Sequence, residues 1–200
     1  MTGSPIPPPA PITTVTAADA EHAIAVLTLA FSSDPPSRWA WPDPQQYLAS
    51  FPSFVQALGG RAFEQGTAHC LPRYTGAALW LPPGIQPDEE AVVALIQRTI
   101  TEETQEDMFA VFEQMGSYHP AEPHWYLPLI GVDPALQGRG YGSALLRHAL
   151  AVCDRDGVPA YLESTSLESA PLYERHGFEV LGTIQVGASP PILPMLRRPR

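Results

Sequence analysis

The stretch "VDPALQGRGYGSALL", Val132 to Leu146, decides how this chain is read. Gly138, Gly140 and Gly142 stand two apart, and a helical pattern follows at once. Glycine takes positive φ without a steric penalty and lets another molecule approach the backbone. Successive amides in such a turn can converge on one anion. The N-terminus of the next helix adds unpaired N–H groups and a favourable dipole. Strand, glycine turn and helix N-terminus, in that order, make a phosphate cradle. A nucleotide P-loop needs Gly-x-x-x-x-Gly-Lys-Ser/Thr, and no such lysine is present. A dinucleotide site needs Gly-x-Gly-x-x-Gly, whereas the spacing here is Gly-x-Gly-x-Gly. On pattern alone, an ordinary tight turn is an equal alternative.

The surrounding chain reads as one layered domain. Its 200 residues are enough for one core, with 44% hydrophobic and 16% charged residues. Residues 1–11 hold five of the 24 prolines and read as a disordered lead. Residues 12–200 read as a single domain, with a helical insertion at about 87–116. The expected strands are "PITTV", "TAHCLPRY", "GAALWLPP", "HWYLPLIGV", "VPAYLEST", "FEVLGTIQV" and "PILPMLRR". The first expected helix, "TAADAEHAIAVLTLAF", has Thr16 as N-cap and Ile24, Leu27 and Phe31 on its apolar face. "SSDPPSRWAWPDP" reads as an irregular crossing. The next stretch reads as broken helix, interrupted at Pro52 and at Gly59-Gly60. Two helices fill 87–116, the second with Met108, Phe112 and Met115 on one face. A helix follows the glycine loop and ends at Gly157, and "SLESAPLYERHG" is a short helix. Strands and helices alternate around one mixed sheet, so the class is α/β or α+β.

The net charge is −10, and Lys and Arg total 11. No basic stripe can wrap a nucleic acid, so none is expected as a partner. The acidity serves solubility or attracts a cationic substrate. No apolar run reaches membrane-spanning length, and no secretion signal is visible. Cys70 and Cys153 lack metal spacing and read as unpaired core thiols, which suits a cytoplasmic location. No metal is expected.

The glycine stretch, followed by "PLYERHGFEV" at 171–180, resembles the GNAT acetyltransferase superfamily. The superfamily's acetyl-CoA loop reads Gln/Arg-x-x-Gly-x-Gly/Ala, and Gln137, Gly138, Arg139, Gly140, Tyr141 and Gly142 match it. "EPHWYLPLIGVDPALQGRGYGSALL" and "GVPAYLESTSLESAPLYERHGF" are similar to the puromycin N-acetyltransferase-like members. The resemblance implies a GNAT fold: a mostly antiparallel sheet of about seven strands, flanked by helices and splayed at an acetyl-CoA slot. It implies acetyl-CoA as co-substrate, its pyrophosphate on the loop through Ser143. The pantetheine arm would pair with the backbone of Leu129, Ile130, Gly131 and Val132. Many relatives carry an asparagine before the "LY" helix; Ser166 and Ser169 stand in that neighbourhood here. Arg147 and Arg175 are weaker candidates for the adenosine-side phosphate. Pro128 is either a strand start or a local break that opens the slot.

The implied reaction is acetyl transfer to the primary amine of a small molecule. Tyr173, in the "LYE" motif, is the candidate proton donor to the leaving thiolate, or a packing residue. Glu163 alternates with Leu162 on its strand and is either a base or a paired strand residue. His124 has the right intrinsic pKa for a base, but a structural role is the competing reading. Trp39, Trp41 and Tyr47, with the helices of 87–116, either line an apolar acceptor pocket or pack the core. Glu89, Glu90 and Glu102 either meet the amine or solvate a helix start. A non-catalytic acyl-CoA-binding module and a protein N-terminal or lysine acetyltransferase stay open, and the fold is compatible with a homodimer.

Overall fold

The computed structural model describes residues 11–200; the proline-rich lead expected over 1–11 lies outside them except for Pro11. The strands are β1 (Thr13–Thr14), β2 (Ala68–Cys70), β3 (Gly76–Leu81), β4 (Trp125–Val132), β5 (Ala160–Ser164), β6 (Glu179–Val180) and β7 (Leu193–Arg197). They form one sheet in the order β1-β2-β3-β4-β5-β7-β6. Every pairing is antiparallel except β4 with β5. The expected seven-stranded, mostly antiparallel sheet is therefore present.

Helices α1 (Ala20–Ala30), α2 (Pro35–Ala40), α3 (Pro44–Gly59), α4 (Arg61–Gln65), α5 (Glu89–Thr99) and α6 (Glu102–Tyr118) precede β4. Helices α7 (Tyr141–Asp156) and α8 (Ala170–Arg175) follow it. The sheet separates two cores. Leu27, Phe51, Val55, Leu79, Leu129 and Tyr161 are buried together on one face. Ala78, Trp80, Leu127, Leu145, Leu150 and Leu162 are buried together with α7 on the other. Gly131 lets α1 cross β4 closely, since a Cβ there would lie 2.6 Å from that of Ala30. Cys70 and Cys153 are both free and buried.

Three local expectations are corrected. "SSDPPSRWAWPDP" contains the helix α2. Its Asp34 caps the helix, accepting from the Ser37 amide at 3.0 Å, and Pro35 and Pro36 occupy the first positions, where no N–H is needed. Pro52 does not interrupt α3, which runs to Gly59. The carbonyl that Pro52 leaves without a donor belongs to Leu48, which is exposed and can be solvated by water. Thr16 precedes a short 3₁₀ turn, and its hydroxyl donates to Asp19 instead of capping α1.

β2 carries a half-buried histidine beside the exposed His148 of α7. The His69 ring stacks edge-on against His148 with centroids 4.6 Å apart, and His69 Nδ1 and Trp80 Nε1 are buried without partners. Burial, then the neighbouring His148, lowers the His69 pKa to about 4. The folded state thus favours neutral His69. That stability is present above the unfolded value and is lost as pH falls from about 6.5 to about 4. Melting temperature should therefore drop across that window by the equivalent of on the order of 2–3 kcal/mol. In His69→Met the drop should shrink. An equally steep loss in the variant would remove His69 as its source.

Candidate active site

The site begins where β4 leaves β5. The two strands pair only at Trp125–Ala160 and Tyr126–Tyr161. Beyond Tyr126, the β4 edge facing β5 has no strand partner. On its other edge, β4 stays paired to β3 but shifts register: Leu79 faces Leu129, while Leu81 faces Tyr126. Leu127 and Pro128 therefore stand opposite Trp80 alone, which is a β-bulge, and a bulge bends and twists its strand. Pro128 has no N–H to offer a ladder. Of the two readings of Pro128, the local break is the one observed.

A slot of about 960 Å³ opens between the diverging strands. Ile130, Gly131 and Val132 line it from β4, and Gln137, Gly138, Gly140, Tyr141, Gly142 and Ser143 from the loop. Ser166, Ser169 and Tyr173 line its far wall. Gly138 and Gly140 have φ of +74° and +81°, a conformation that L side chains rarely take. Gly140 is the N-cap of α7, and the first helical bond runs from the Ala144 amide to the Gly140 carbonyl at 3.0 Å. The amides before Ala144 lie at the free helix end. The Gln137 side-chain amide donates to the Val132 carbonyl at 3.2 Å, tying the loop to the end of β4. Arg139 is exposed and is not on the slot's wall, and Leu129 adds only backbone to the open β4 edge, its buried side chain facing the opposite core.

Ser143 Oγ lies 2.7 Å from His176 Nε2. Burial, together with Arg147, Arg175, Arg197 and Arg200, lowers the His176 pKa. A cluster of positive charge thus stands behind the loop. Arg197 is committed elsewhere: it is buried and makes two 2.8 Å bonds to Asp154.

On the other side of β4 lies a smaller cavity of about 90 Å³ under α2, α3 and α6. Trp39, Trp41, Met108, Phe112 and Met115 line it. Tyr47 does not; it is buried and its hydroxyl donates to the Thr28 carbonyl at 2.6 Å. Glu89, Glu90 and Glu102 are exposed in the first turns of α5 and α6 and do not line the cavity, so the solvated reading holds for them.

The cavity and the slot share six residues: Phe31, Asp34, Pro128, Glu163, Thr165 and Pro190. Asp34 accepts hydrogen bonds from Ser37 and from the Thr165 hydroxyl. Burial raises its pKa, while those bonds pull the other way. Burial, then the charge of Asp34, pushes the Tyr173 phenol above its usual range. Burial and the neighbouring Glu163 push Tyr126 and Tyr161 up as well.

Glu163 is 3% exposed, and its Oε1 lies 3.2 Å from His119 Nε2. The approach is at ion-pair distance without hydrogen-bond geometry, and that oxygen has no other partner. His119 Nδ1 lies 3.3 Å from His124 Nε2, and His124 Nδ1 lies 2.9 Å from the Glu122 carbonyl. A carbonyl only accepts, so His124 Nδ1 carries a proton. Burial lowers the His124 pKa, favouring the neutral ring. Neutral His124 then offers Nε2 as an acceptor, so His119 Nδ1 is the donor. The remaining contact, His119 Nε2 with Glu163 Oε1, joins this histidine pair to the carboxyl group at ion-pair distance.

His124 thus lies outside both cavities, and His119 connects it to Glu163. Sequence reasoning missed Asp34, Thr165 and His119. The Asp34-Pro35-Pro36-Ser37 run did carry a capping signal. His119 sits in a proline-rich turn, where spacing says nothing about distance.

The family model described as "Acetyltransferase (GNAT) family" matches residues 73–178, more than half of the chain. The chain belongs to the GNAT acetyltransferase family. A solved structure from Corynebacterium glutamicum, described as histone acetyltransferase HPA2 and related acetyltransferase, is 27% identical with a TM-score of 0.68. The match covers 96% of this chain and 98% of that one. A Drosophila melanogaster polyamine N-acetyltransferase shares the fold, with 17% identity, a TM-score of 0.69 and coverage of 94% and 99%. An uncharacterized N-acetyltransferase of Schizosaccharomyces pombe is 44% identical over 54 residues, which span 27% of this chain and only 22% of that protein. The GNAT match includes the glycine loop, the bulge and Tyr173. Among the described residues, no helix is long and apolar enough to cross a membrane.

Replacing Gly140 by Asp adds a side chain at positive φ and a carboxylate in the cradle. Calorimetric titration should show acetyl-CoA affinity falling by at least 100-fold. Unchanged affinity would mean that the loop does not hold the pyrophosphate.

Proposed function

We propose that this GNAT member transfers the acetyl group of acetyl-CoA directly to the primary amine of a small molecule, within a ternary complex. One observation carries the reading: the slot and the apolar cavity meet at a shared wall that bears two carboxyl groups, Asp34 and Glu163. A thioester entering through the slot and an amine entering through the cavity would meet there.

The residues present fit acetyl-CoA. The backbone of Leu129 to Val132 lies along an edge without a β5 partner, suited to an extended amide-bearing arm. The loop from Gln137 to Ser143 offers positive-φ glycines and a helix N-terminus for the pyrophosphate. Ser166 and Ser169 add hydroxyls on the facing wall. When bound, acetyl-CoA supplies an activated acetyl group, whose C–S bond breaks as the amide C–N bond forms.

An alkylamine of pKa about 10.4 is roughly three decades from its neutral form at pH 7. Glu163 would take the amine proton, and His119 would pass it towards His124 and the surface. Each carrier in that path is within 3.3 Å of the next. Tyr173 faces the slot with its phenol held protonated. Outright transfer from a phenol above pKa 10 to a thiolate of about 8.5 is uphill by at least about 2 kcal/mol. Its first contribution would be a hydrogen bond to the sulfur as charge develops, with net protonation following from solvent.

The chain contains no lysine, so self-acetylation of lysine side chains cannot contribute to thiol release. Amine-dependent thiol release by the purified protein tests the proposal. Binding of acetyl-CoA without release from any amine would favour a non-catalytic acyl-CoA-binding role.

Glu163→Gln should lower kcat/KM for the amine by about 100-fold or more, with acetyl-CoA affinity within threefold of the parent. In the parent, protonated His124 can no longer accept from His119. The rate should therefore fall as pH drops through the lowered His124 pKa, below 6.5. His124→Gln should alter that acid limb, and an unchanged profile would exclude the relay. Tyr173→Phe should reduce kcat more than acetyl-CoA affinity; equal kcat would remove the phenol from the chemistry.

A further inference from the structure

The acceptor cavity is strongly asymmetric in charge. Asp34 and Glu163 both stand on the wall shared with the slot. Away from that wall, no other carboxylate lines the cavity. Its remaining polar groups are largely committed: Ser37 Oγ donates to Asp34, Trp41 Nε1 to Thr99, and Ser189 Oγ accepts from the Val186 amide. The acids of α6 point elsewhere. Glu102, Glu103, Glu106 and Glu113 are exposed, and Asp107 accepts from the Ala188 amide at 3.3 Å.

Resting on the acetyl-transfer reading above, we infer that the acceptor is a compact monoamine: one ammonium at the Asp34–Glu163 wall and an uncharged apolar body against Trp39, Phe54, Phe112 and Met115. Two physical terms set the selectivity. An apolar body gains by leaving water for this wall. A second ammonium would lose its hydration there and find no carboxylate, which disfavours it unless it escapes to solvent. The free volume of about 90 Å³ sets the size. It is well below that of sites for drug-sized ligands, so a single ring or a branched alkyl chain fits better than a multi-ring scaffold. The protein's overall net charge of −10 attracts any cation and does not discriminate between one charge and two.

The test compares kcat/KM from thiol release for isoamylamine and phenethylamine with that for putrescine, agmatine and puromycin. In parallel, calorimetry measures binding of isoamylamine to the protein saturated with CoA. The two compact monoamines should exceed the diamine, agmatine and puromycin by at least tenfold. An equal or higher value for any of those three overturns the inference. Met115→Glu should raise putrescine relative to isoamylamine by at least tenfold, since it gives the second ammonium a partner. An unchanged ratio in a folded variant overturns the charge argument. Binding of isoamylamine without turnover of any amine would refute acetyl transfer while supporting the cavity assignment. Failure of isoamylamine to bind the CoA complex would refute the cavity assignment whatever the turnover.

Discussion

The bulge at Leu127–Pro128 is the constraint on which the rest of the structure depends. β4 holds its ladder to β3 on one edge and loses β5 on the other after Tyr126. A sheet with continuous pairing would have no slot, and backbone groups left unpaired inside a fold are costly. The bulge reconciles these demands at one point. It bends β4 away, leaves an open edge beside a solvent-accessible slot, and puts a residue without an N–H where a ladder donor would have been stranded. The glycine loop then begins where β4 ends, and α7 starts with its N-terminus at the same slot. Slot, loop and helix terminus are thus aligned by the course of a single strand.

The bulge also sets which side chains meet. Before it, Tyr126 faces the α1–α6 core and Leu127 faces α7; after it, Leu129 faces α1–α6 and Ile130 faces α7. Simple alternation from Tyr126 would have placed Leu129 on the α7 side. The extra residue reverses that phase, so Tyr126, Pro128 and Leu129 all line the small cavity with Glu163. Packing beneath α6 and the surroundings of Glu163 on β5 are coupled through this reversal.

Glu163 illustrates how surroundings set the environment of one position. Strand alternation alone puts it opposite Leu162. Its side chain is largely buried beside Tyr126, Tyr161 and His119, with one histidine contact leading outward. Buried carboxyl groups are retained at a cost, and a site that moves protons is a physical reason to keep one. Asp34 reaches the same wall by a different route. It caps α2, and its second oxygen accepts from Thr165 just beyond β5. The cap thereby fastens the pocket's outer helix to the strand that carries Glu163.

The order of strands and helices and the glycine turn before α7 were legible in the sequence because they rest on local rules: periodicity, positive φ and motif spacing. Gly138, Gly140 and the helix after them need only their neighbours in the chain to take their conformation. The helix α2 was misread because its two prolines looked like breakers, although they occupy the one part of a helix that has no use for their N–H groups. What lay beyond the sequence was every pairing across long separations. Asp34 meets Thr165, and His119 meets Glu163, through the packing of elements far apart in the chain. By itself the sequence determined the elements and the glycine turn before α7. The tertiary structure decided the bulge phase, the contacts from Glu163 through His119 to His124 and the shape of the small cavity, because these depend on distances between segments that no local preference specifies.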